Sequence, residues 1–291
     1  MEEAITQQQT TEVTIRNLLP EEMFIITDLA AMAGTNPGIN DGEFLFKADN
    51  NGFIAAIEDN KVNGTIAVIK YPNNLAFIGL HFVVEHYRNS GLMEKLLSVA
   101  LDIAGERNIG VNCKEEYVSL YENAGFKPAF KIISYEGISD GILNELPQNI
   151  NSPHLTPYDK VYDYYGKTFP YEGKMFFNQW LNQPQSLLFG KYENDKYKGL
   201  GLLKPCRKGF RLSPLIADDR ESAKEILTSL VSHYPAGTPY YLDIPVQNMD
   251  GINLAEELKL KKIGEALRMY KGKEHKISLN NIYSFTSMEI G

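Results

Sequence analysis

The pattern of apolar and polar positions predicts an alternation of strands and helices along the first half of the chain. Residues 75–84 are nearly all apolar, which is typical of a strand buried on both faces of a sheet. Residues 91–104 instead repeat apolar side chains at helical spacing. The predicted strands are 12–15, 53–57, 64–69, 75–84, 109–113 and 126–135, and the predicted helices are 20–33, 41–47, 91–104 and 115–123.

The second half repeats this order of elements. Its predicted helices are 159–165, 173–181, 220–232 and 251–258, and its predicted strands are 186–192, 197–203, 210–213, 240–244 and 263–270. The halves also end alike, in Tyr-Glu-Gly at 135–137 and Tyr-Lys-Gly at 270–272. We therefore predict a mixed α/β (α+β) fold of two related domains, 1–140 and 157–291, joined by a linker at 141–156. Each domain is expected to be a mixed twisted sheet flanked by helices.

Composition and charge restrict the classes of partner. A chain of 291 residues with 43% hydrophobic residues can bury the cores of two domains. A net charge of -8 disfavours nucleic acid and anionic membranes as partners, and it suits a cationic substrate such as an amine. The polar start and the absence of a long apolar run predict a cytoplasmic protein. Two distant cysteines and scattered histidines predict no metal site, and the oligomeric state is not indicated.

One stretch has the pattern of a phosphate-binding turn. The buried strand 75–84 leads into Arg88-Asn89-Ser90-Gly91-Leu92-Met93, which opens the next helix. Backbone amides at a helix start lack intrahelical partners, and the helix dipole adds positive charge there. A pyrophosphate could bind these amides, and Gly91 would let the backbone approach it closely. An ordinary strand-to-helix turn that contains a glycine is the alternative.

A second motif makes a family resemblance visible. Leu-Tyr-Glu-Asn-Ala-Gly-Phe at 120–126 follows one strand and one helix later. The pair resembles the GNAT superfamily of N-acyltransferases, whose pattern is Arg/Gln-x-x-Gly-x-Gly/Ala and then Tyr-x-x-x-Gly-Phe. The resemblance covers about residues 12–137. Segments similar to the two-domain, YitH-like branch extend it over nearly the whole chain, at 36–38, 214–218, 242–245, 268–272 and 284–289.

The resemblance implies an acetyl-CoA donor in the first half and an amine acceptor that attacks the thioester directly. Tyr121 would protonate the leaving thiolate. The acceptor would lie between the 34–41 loop and the second half, with Asn36, Asp41 and Glu43 as candidate contacts. The pantetheine arm would pair with the backbone of Phe82, Val83 and Val84, and the pyrophosphate would bind Arg88, Asn89, Ser90, Gly91, Leu92 and Met93.

The general base is less clear from the sequence. His81 is the only ionisable side chain within the strand 75–84, and an unperturbed pKa near ~6.5 suits a base. An isolated strand histidine is also often a hydrogen-bonded core residue. We name His81 and Tyr121 as the candidate catalytic residues. The acceptor stays open among a small amine, an antibiotic, a polyamine and the N-terminus or a lysine of a protein.

Several positions depart from the family pattern. Met93 stands where the family prefers Gly or Ala, and Lys114 stands where many members carry Asn. A non-catalytic module that binds CoA or a small ligand, and a different acyl donor, therefore remain alternatives. In the second half, 213–219 occupies the place of the phosphate turn, but Pro214 lacks an amide hydrogen and two aspartates would repel phosphate. We expect no donor there, and we interpret the basic run 204–208 as a solvated turn.

Overall fold

The computed structural model describes residues 13–141, 143, 145–153, 157–289 and 291. The strands are β1 (Thr14–Asn17), β2 (Phe53–Glu58), β3 (Lys61–Tyr71), β4 (Leu75–Val83), β5 (Asn108–Cys113), β6 (Lys127–Ile138), β7 (Ile150–Asn151), β8 (Leu187–Glu193), β9 (Lys196–Pro205), β10 (Phe210–Ala217), β11 (Pro239–Pro245), β12 (Lys261–Lys271) and β13 (Ile282–Ser284). The helices are α1 (Met23–Met32), α2 (Asp41–Ala48), α3 (Leu92–Ala104), α4 (Val118–Asn123), α5 (Tyr158–Thr168), α6 (Lys174–Leu181), α7 (Arg220–Val231) and α8 (Met249–Glu257). None of these helices is both long enough and apolar enough to cross a membrane.

All of these strands join in one mixed sheet, in the order β1-β2-β3-β4-β5-β12-β6-β11-β10-β9-β8-β7, with β13 paired to β10. The predicted mixed α/β class is confirmed. The two halves exchange their last long strands, because β12 pairs with β5 (Leu267 opposite Cys113) and β6 pairs with β11. The predicted domains 1–140 and 157–291 therefore share a sheet instead of each forming its own. The predicted linker also contributes β7, which pairs with β8.

The helices divide the interior into three cores. One face of the sheet carries α1, α2, α5 and α6, and their apolar residues form a single core across both halves, with Phe77, Trp180 and Phe285 among its fully buried members. The other face carries two separate cores, one under α3 and α4 and one under α7 and α8. Because the shared core spans the strand exchange, the two halves pack as one body on that face.

Each half contains a pair of parallel strands that separate before they end. The pairing of β4 with β5 stops at Ile78 and Val111, although β4 continues to Val83. We call the opening beyond these residues the first gap. The pairing of β10 with β11 likewise stops at Arg211 and Tyr241, which leaves a second gap. Openings at the carboxyl ends of parallel strands are common ligand sites.

The second gap is filled by the chain itself. Strand β13 pairs with β10, with Leu215 opposite Ser284, and the Asp243 amide on β11 donates to the Ser284 hydroxyl at 3.0 Å. The interpretation of 213–219 as a segment equivalent to the phosphate turn is wrong for its first part, because 213–217 belong to β10. The Asp219 carboxylate instead accepts from the Ser222 amide at 2.8 Å and caps α7, as aspartate often does at a helix N-terminus.

Candidate active site

A cavity of about 320 Å³ passes through the first gap. Helices α3 and α4 border it on one face of the sheet, and α2, β9, β10 and β11 border it on the other. Its lining on the first face includes Arg88, Met93, Lys114, Tyr117 and Tyr121, and its lining on the second face includes Asn36, Asp41, Lys204, Arg211, Asp243 and Glu289. The two faces of this cavity therefore present different chemistry.

The predicted phosphate turn lies at one mouth of this cavity. Asn89 and Gly91 adopt positive φ angles of 67° and 83°, and α3 begins at Leu92. A Cβ on Gly91 would meet no protein atom within 4 Å, so within the chain itself glycine is needed there for its backbone conformation. The Ser90 hydroxyl donates to the Tyr87 carbonyl at 2.7 Å and holds the turn together. Residues 88–91 are exposed and Leu92 is buried, so the helix start faces solvent.

The end of β4 offers fewer free backbone groups than predicted. The Val84 amide donates to the Asn63 carbonyl at 2.9 Å, and Phe82 lies opposite Thr65 on β3. Because backbone groups of an antiparallel strand alternate in direction, Phe82 and Val84 face β3, and Val83 faces the first gap. Of the three residues predicted to pair with pantetheine, only Val83 presents its amide and carbonyl to the opening.

Tyr121 and His81 form a buried hydrogen-bonded pair beside the turn. The Tyr121 hydroxyl lies 2.9 Å from His81 Nδ1, and His81 Nε2 lies 3.1 Å from the Met93 carbonyl. A carbonyl only accepts, so Nε2 carries the hydrogen and Nδ1 accepts from Tyr121. Burial lowers the pKa of His81 to about 4. Both ring nitrogens of a neutral His81 are engaged, so the geometry does not support the predicted base role and makes His81 a positioning residue for Tyr121.

The two other reactive groups on this side are held protonated. Burial, with smaller contributions from Cys113, Tyr117 and Glu289, raises the pKa of Tyr121 well above its ordinary value. Burial also raises the pKa of the Cys113 thiol to about 12, assisted by Glu115 and Glu122. Tyr121 can therefore donate a hydrogen bond at neutral pH, whereas Cys113 is a poor nucleophile.

Asp41 lies in the cavity wall as half of a buried ion pair. Its Oδ1 is 2.5 Å from Lys204 Nζ, and its Oδ2 accepts from the Gly38 amide at 2.9 Å. The ammonium group also lies 3.7 Å from the centroid of the Trp180 ring. Burial lowers the pKa of Lys204, and Asp41 opposes that shift. Lys204 belongs to the basic run interpreted above as a solvated turn, and for this residue that interpretation is wrong.

The other two predicted substrate contacts have different surroundings. The Asn36 side chain donates to Cys206 Sγ at 3.2 Å and to the Lys208 carbonyl at 3.1 Å, and it accepts from the Lys208 amide. Asn36 therefore fastens the 34–38 loop to the second half. Glu43 is not part of the cavity wall. It points to solvent, where it pairs with Lys47 at 2.6 Å, so the structure does not bring it to the site.

The second half contributes another ion pair to the cavity. Arg211 pairs with Asp243, and the Ser134 hydroxyl donates to the other oxygen of Asp243 at 2.5 Å. Arg211 also donates through Nε to the Asn36 carbonyl at 3.2 Å. The two aspartates on this side, Asp41 and Asp243, are therefore already bound to a cation of the second half.

The C-terminal segment (285–289) completes the site and was not singled out as functional from the sequence. The Asn112 side chain donates to the Met288 carbonyl at 2.9 Å, and Arg268 Nε holds Asn112 at 2.6 Å. A Cβ on Gly79 would lie 1.6 Å from the Glu289 carbonyl oxygen, so the segment packs against the bare backbone of β4. A glycine inside an otherwise apolar strand was the available signal, since it often marks such an approach.

Comparison with known proteins identifies the family. A model of the acetyltransferase (GNAT) family matches residues 18–126, and a model of an acetyltransferase (GNAT) domain matches residues 161–284. The chain belongs to the GNAT superfamily. Each half contains one GNAT domain, which confirms the predicted tandem arrangement. Family membership supports acyl transfer as the activity, and the family typically uses acyl-CoA donors.

Relatives of this tandem GNAT protein span nearly its full length. It is 23% identical over 278 residues to a holothin acyltransferase from Pseudoalteromonas, covering 93% of this chain and 92% of that one. A putative acetyltransferase from Pyrococcus horikoshii has a TM-score of 0.79 at 18% identity, with 96% of both chains covered. A tandem GNAT protein from the clavulanic acid biosynthesis pathway has a TM-score of 0.62 at 13% identity, covering 91% and 100%. The two structures support the fold.

Proposed function

We propose that this protein transfers an acetyl or other short acyl group from CoA to a primary amine by direct attack. The observation that carries the proposal is the first gap, which joins the exposed helix start at Gly91 to a cavity lined by carboxylates. A thioester lying in this gap could be reached from one face by the donor and from the other by the acceptor.

The described residues fit an acyl-CoA substrate on the face of α3 and α4. The outward amide and carbonyl of Val83 can pair with the amides of a pantetheine arm. The first-turn amides of α3 that follow Leu92 can bind the pyrophosphate, whereas the Leu92 amide donates to the Ser90 hydroxyl at 3.3 Å. Arg88 lies at the same mouth of the cavity. The second gap offers no such place, because β13 already occupies it. We therefore propose one donor per chain.

The chemistry follows from the groups around the gap. An alkylammonium with a pKa near ~10 must lose a proton before its nitrogen can attack a thioester. The C–N bond then forms as the C–S bond breaks, and the leaving thiolate needs a hydrogen-bond donor. Tyr121 can be that donor once its hydroxyl hydrogen turns from His81 Nδ1 to the sulfur, since its raised pKa keeps the hydroxyl protonated. The unreactive state of Cys113 favours direct attack over an acyl-enzyme intermediate.

The size of the cavity favours a small acceptor. Its volume of about 320 Å³ must hold both the end of the pantetheine arm and the acceptor. Small-molecule sites usually measure roughly 300–1,000 Å³, so this one lies at the lower limit of that range. We propose a small primary amine as the acceptor, in preference to the N-terminus or a lysine of a folded protein.

Thiol release with acetyl-CoA and a panel of small amines tests the proposal. Tyr121→Phe is expected to lower kcat by roughly 10²–10⁴-fold while calorimetry shows unchanged acetyl-CoA affinity. Tyr158→Phe is the matched control, because its exposed hydroxyl donates to the Lys174 carbonyl on α6, outside the cavity. Acetyl-CoA binding without turnover of any amine would favour the non-catalytic module instead.

A further inference from the structure

We propose that Glu289, carried to the first gap by the C-terminal segment, is the general base that deprotonates the acceptor amine. This assignment rests on the proposed acyl transfer and names a group that acts in it. Glu289 lies in the cavity wall on the face opposite Tyr121, where an amine would approach the thioester.

The position of Glu289 is fixed from several sides. Its backbone packs on Gly79, and the neighbouring backbone amide of Leu80 lowers the pKa of its carboxyl group. Leu80 adopts a φ of 51°, which is uncommon for a residue with a branched side chain and occurs where β4 bulges away from β3. The bulge turns this amide out of the sheet, and the Asn112 bond to Met288 holds the preceding residue. The carboxylate is therefore placed by the fold and does not depend on a bound ligand.

Glu289 is the carboxylate on this face that has no cation of its own. Asp41 pairs with Lys204, and Asp243 pairs with Arg211. Among the residues that the structure describes, no Lys, Arg or His lies within ion-pair distance of Glu289. An incoming ammonium would therefore meet one carboxylate whose charge is not already compensated.

The charged groups around Glu289 poise it for proton transfer. Burial raises its pKa to about 7, Arg211 on β10 lowers it, and Asp41 on α2 and Asp243 on β11 raise it. Lys204 on β9 is bound to Asp41 and partly offsets the charge of that carboxylate, and His81 is neutral. A general base works best when its pKa lies near the working pH, and Glu289 meets that condition.

The other candidates for the base are committed elsewhere. Both ring nitrogens of His81 are hydrogen-bonded, and they lie on the Tyr121 side of the gap. Each carboxylate oxygen of Asp243 is taken, one by Arg211 and one by Ser134. Asp41 likewise uses one oxygen for Lys204 and the other for the Gly38 amide. Protonating either aspartate would leave a buried cation unpaired, which is costly.

The proton balance closes with these groups. Ionised Glu289 takes one proton from the ammonium, and the neutral nitrogen forms the C–N bond to the thioester carbon. The C–S bond breaks, the sulfur keeps the electron pair, and the second nitrogen proton ends on that sulfur through the Tyr121 hydroxyl. Glu289 is partly exposed in the cavity, so it returns its proton to solvent. The products are the amide, free CoA and one released proton.

The test compares pH profiles of wild type, Glu289→Gln and Glu289→Asp with a small amine. Wild-type kcat/KM is expected to fall as pH decreases through about 7, where Glu289 becomes protonated. Glu289→Gln should lose roughly 10²–10⁴-fold in kcat at neutral pH and should lack this acidic limb. The rate of this variant should instead keep rising with pH up to the pKa of the amine itself. Glu289→Asp keeps a carboxylate, so it should retain the acidic limb of the pH profile at a reduced rate. This second variant keeps the test valid if the Gln variant fails to fold.

An acceptor of low basicity separates a base from a merely structural residue. Such an amine is already neutral at the assay pH, so the Glu289→Gln deficit should shrink with it. Acetyl-CoA affinity should not change in the variant. Glu274→Gln, an exposed carboxylate outside the cavity, is the matched control and should match wild type. A Glu289→Gln enzyme within about threefold of wild type and with the same acidic limb would overturn the assignment. No turnover by wild type would defeat the proposed function itself, and with it the base.

Discussion

The ion pair between Asp41 and Lys204 predicts a large effect for a substitution that barely changes shape. The two side chains are 7% and 1% exposed and meet at 2.5 Å. Asp41→Asn removes the negative charge but leaves the ammonium of Lys204 in an apolar setting beside Trp180. Breaking one side of a buried pair typically costs about 3–5 kcal/mol, so we expect the free energy of unfolding to fall by that amount.

Denaturant unfolding followed by circular dichroism measures this loss. The double variant Asp41→Asn/Lys204→Met should recover most of it, because replacing a buried pair with apolar groups is often neutral. Glu43→Gln is the matched control. Glu43 pairs with Lys47 one helical turn away on the exposed face of α2, so its loss should cost less than about 0.5 kcal/mol.

The pH dependence of the Asp41→Asn variant supplies a second readout. Without Asp41, the pKa of Lys204 in the folded protein falls further below its unfolded value. The unfolded chain then binds more protons than the folded one, so the stability of the variant rises as pH increases toward about 10. A variant within about 1 kcal/mol of wild type, with only a raised KM for the amine, would refute this reasoning and restore Asp41 as a substrate contact.

Two further predictions concern the donor. Gly91→Ala forces an alanine to a φ of 83°, which costs roughly 1–2 kcal/mol, and should weaken acetyl-CoA binding about tenfold by calorimetry. Gly237→Ala imposes the same strain at a φ of 89° in the second half and should leave affinity unchanged; equal losses in both would contradict the role of the Gly91 turn. Calorimetry on wild type should also give one acetyl-CoA per chain, and two would show that β13 does not close the second gap.

The parts of the site that sequence predicted well are local. Residues 88–93 and Tyr121 lie in two short motifs. The strand before residues 88–93 and the helix that they open follow directly from the spacing of apolar residues. The predicted strand 75–84 is observed as Leu75–Val83, and the predicted helix 91–104 as Leu92–Ala104. Such features depend on neighbours within one or two turns of chain, so spacing alone is sufficient to find them.

The cavity lining on the second face could not be predicted in this way, because the residues that form it are distant in sequence. Lys204, Arg211 and Asp243 reach the first half only through the exchange of β6 and β12, and either strand could have paired within its own half. The interpretation of the basic run 204–208 as a solvated turn holds for Arg207 and Lys208, which are exposed. Lys204, however, is the next-to-last residue of β9, whose last seven residues are all buried, so a charge there needs a partner.

The C-terminal segment connects the two gaps and thereby relates the second half to the proposed reaction. Strand β13 closes the second gap, and Glu289 lies five residues beyond Ser284 at the first gap. Five extended residues span at most about 18 Å, so the two gaps must lie close together for one segment to reach both. Strand exchange provides that proximity by setting β12 and β6 between β5 and β11. The backbone that seals one opening therefore positions the proposed base at the other, and the second half becomes the proposed acceptor side of a single active site.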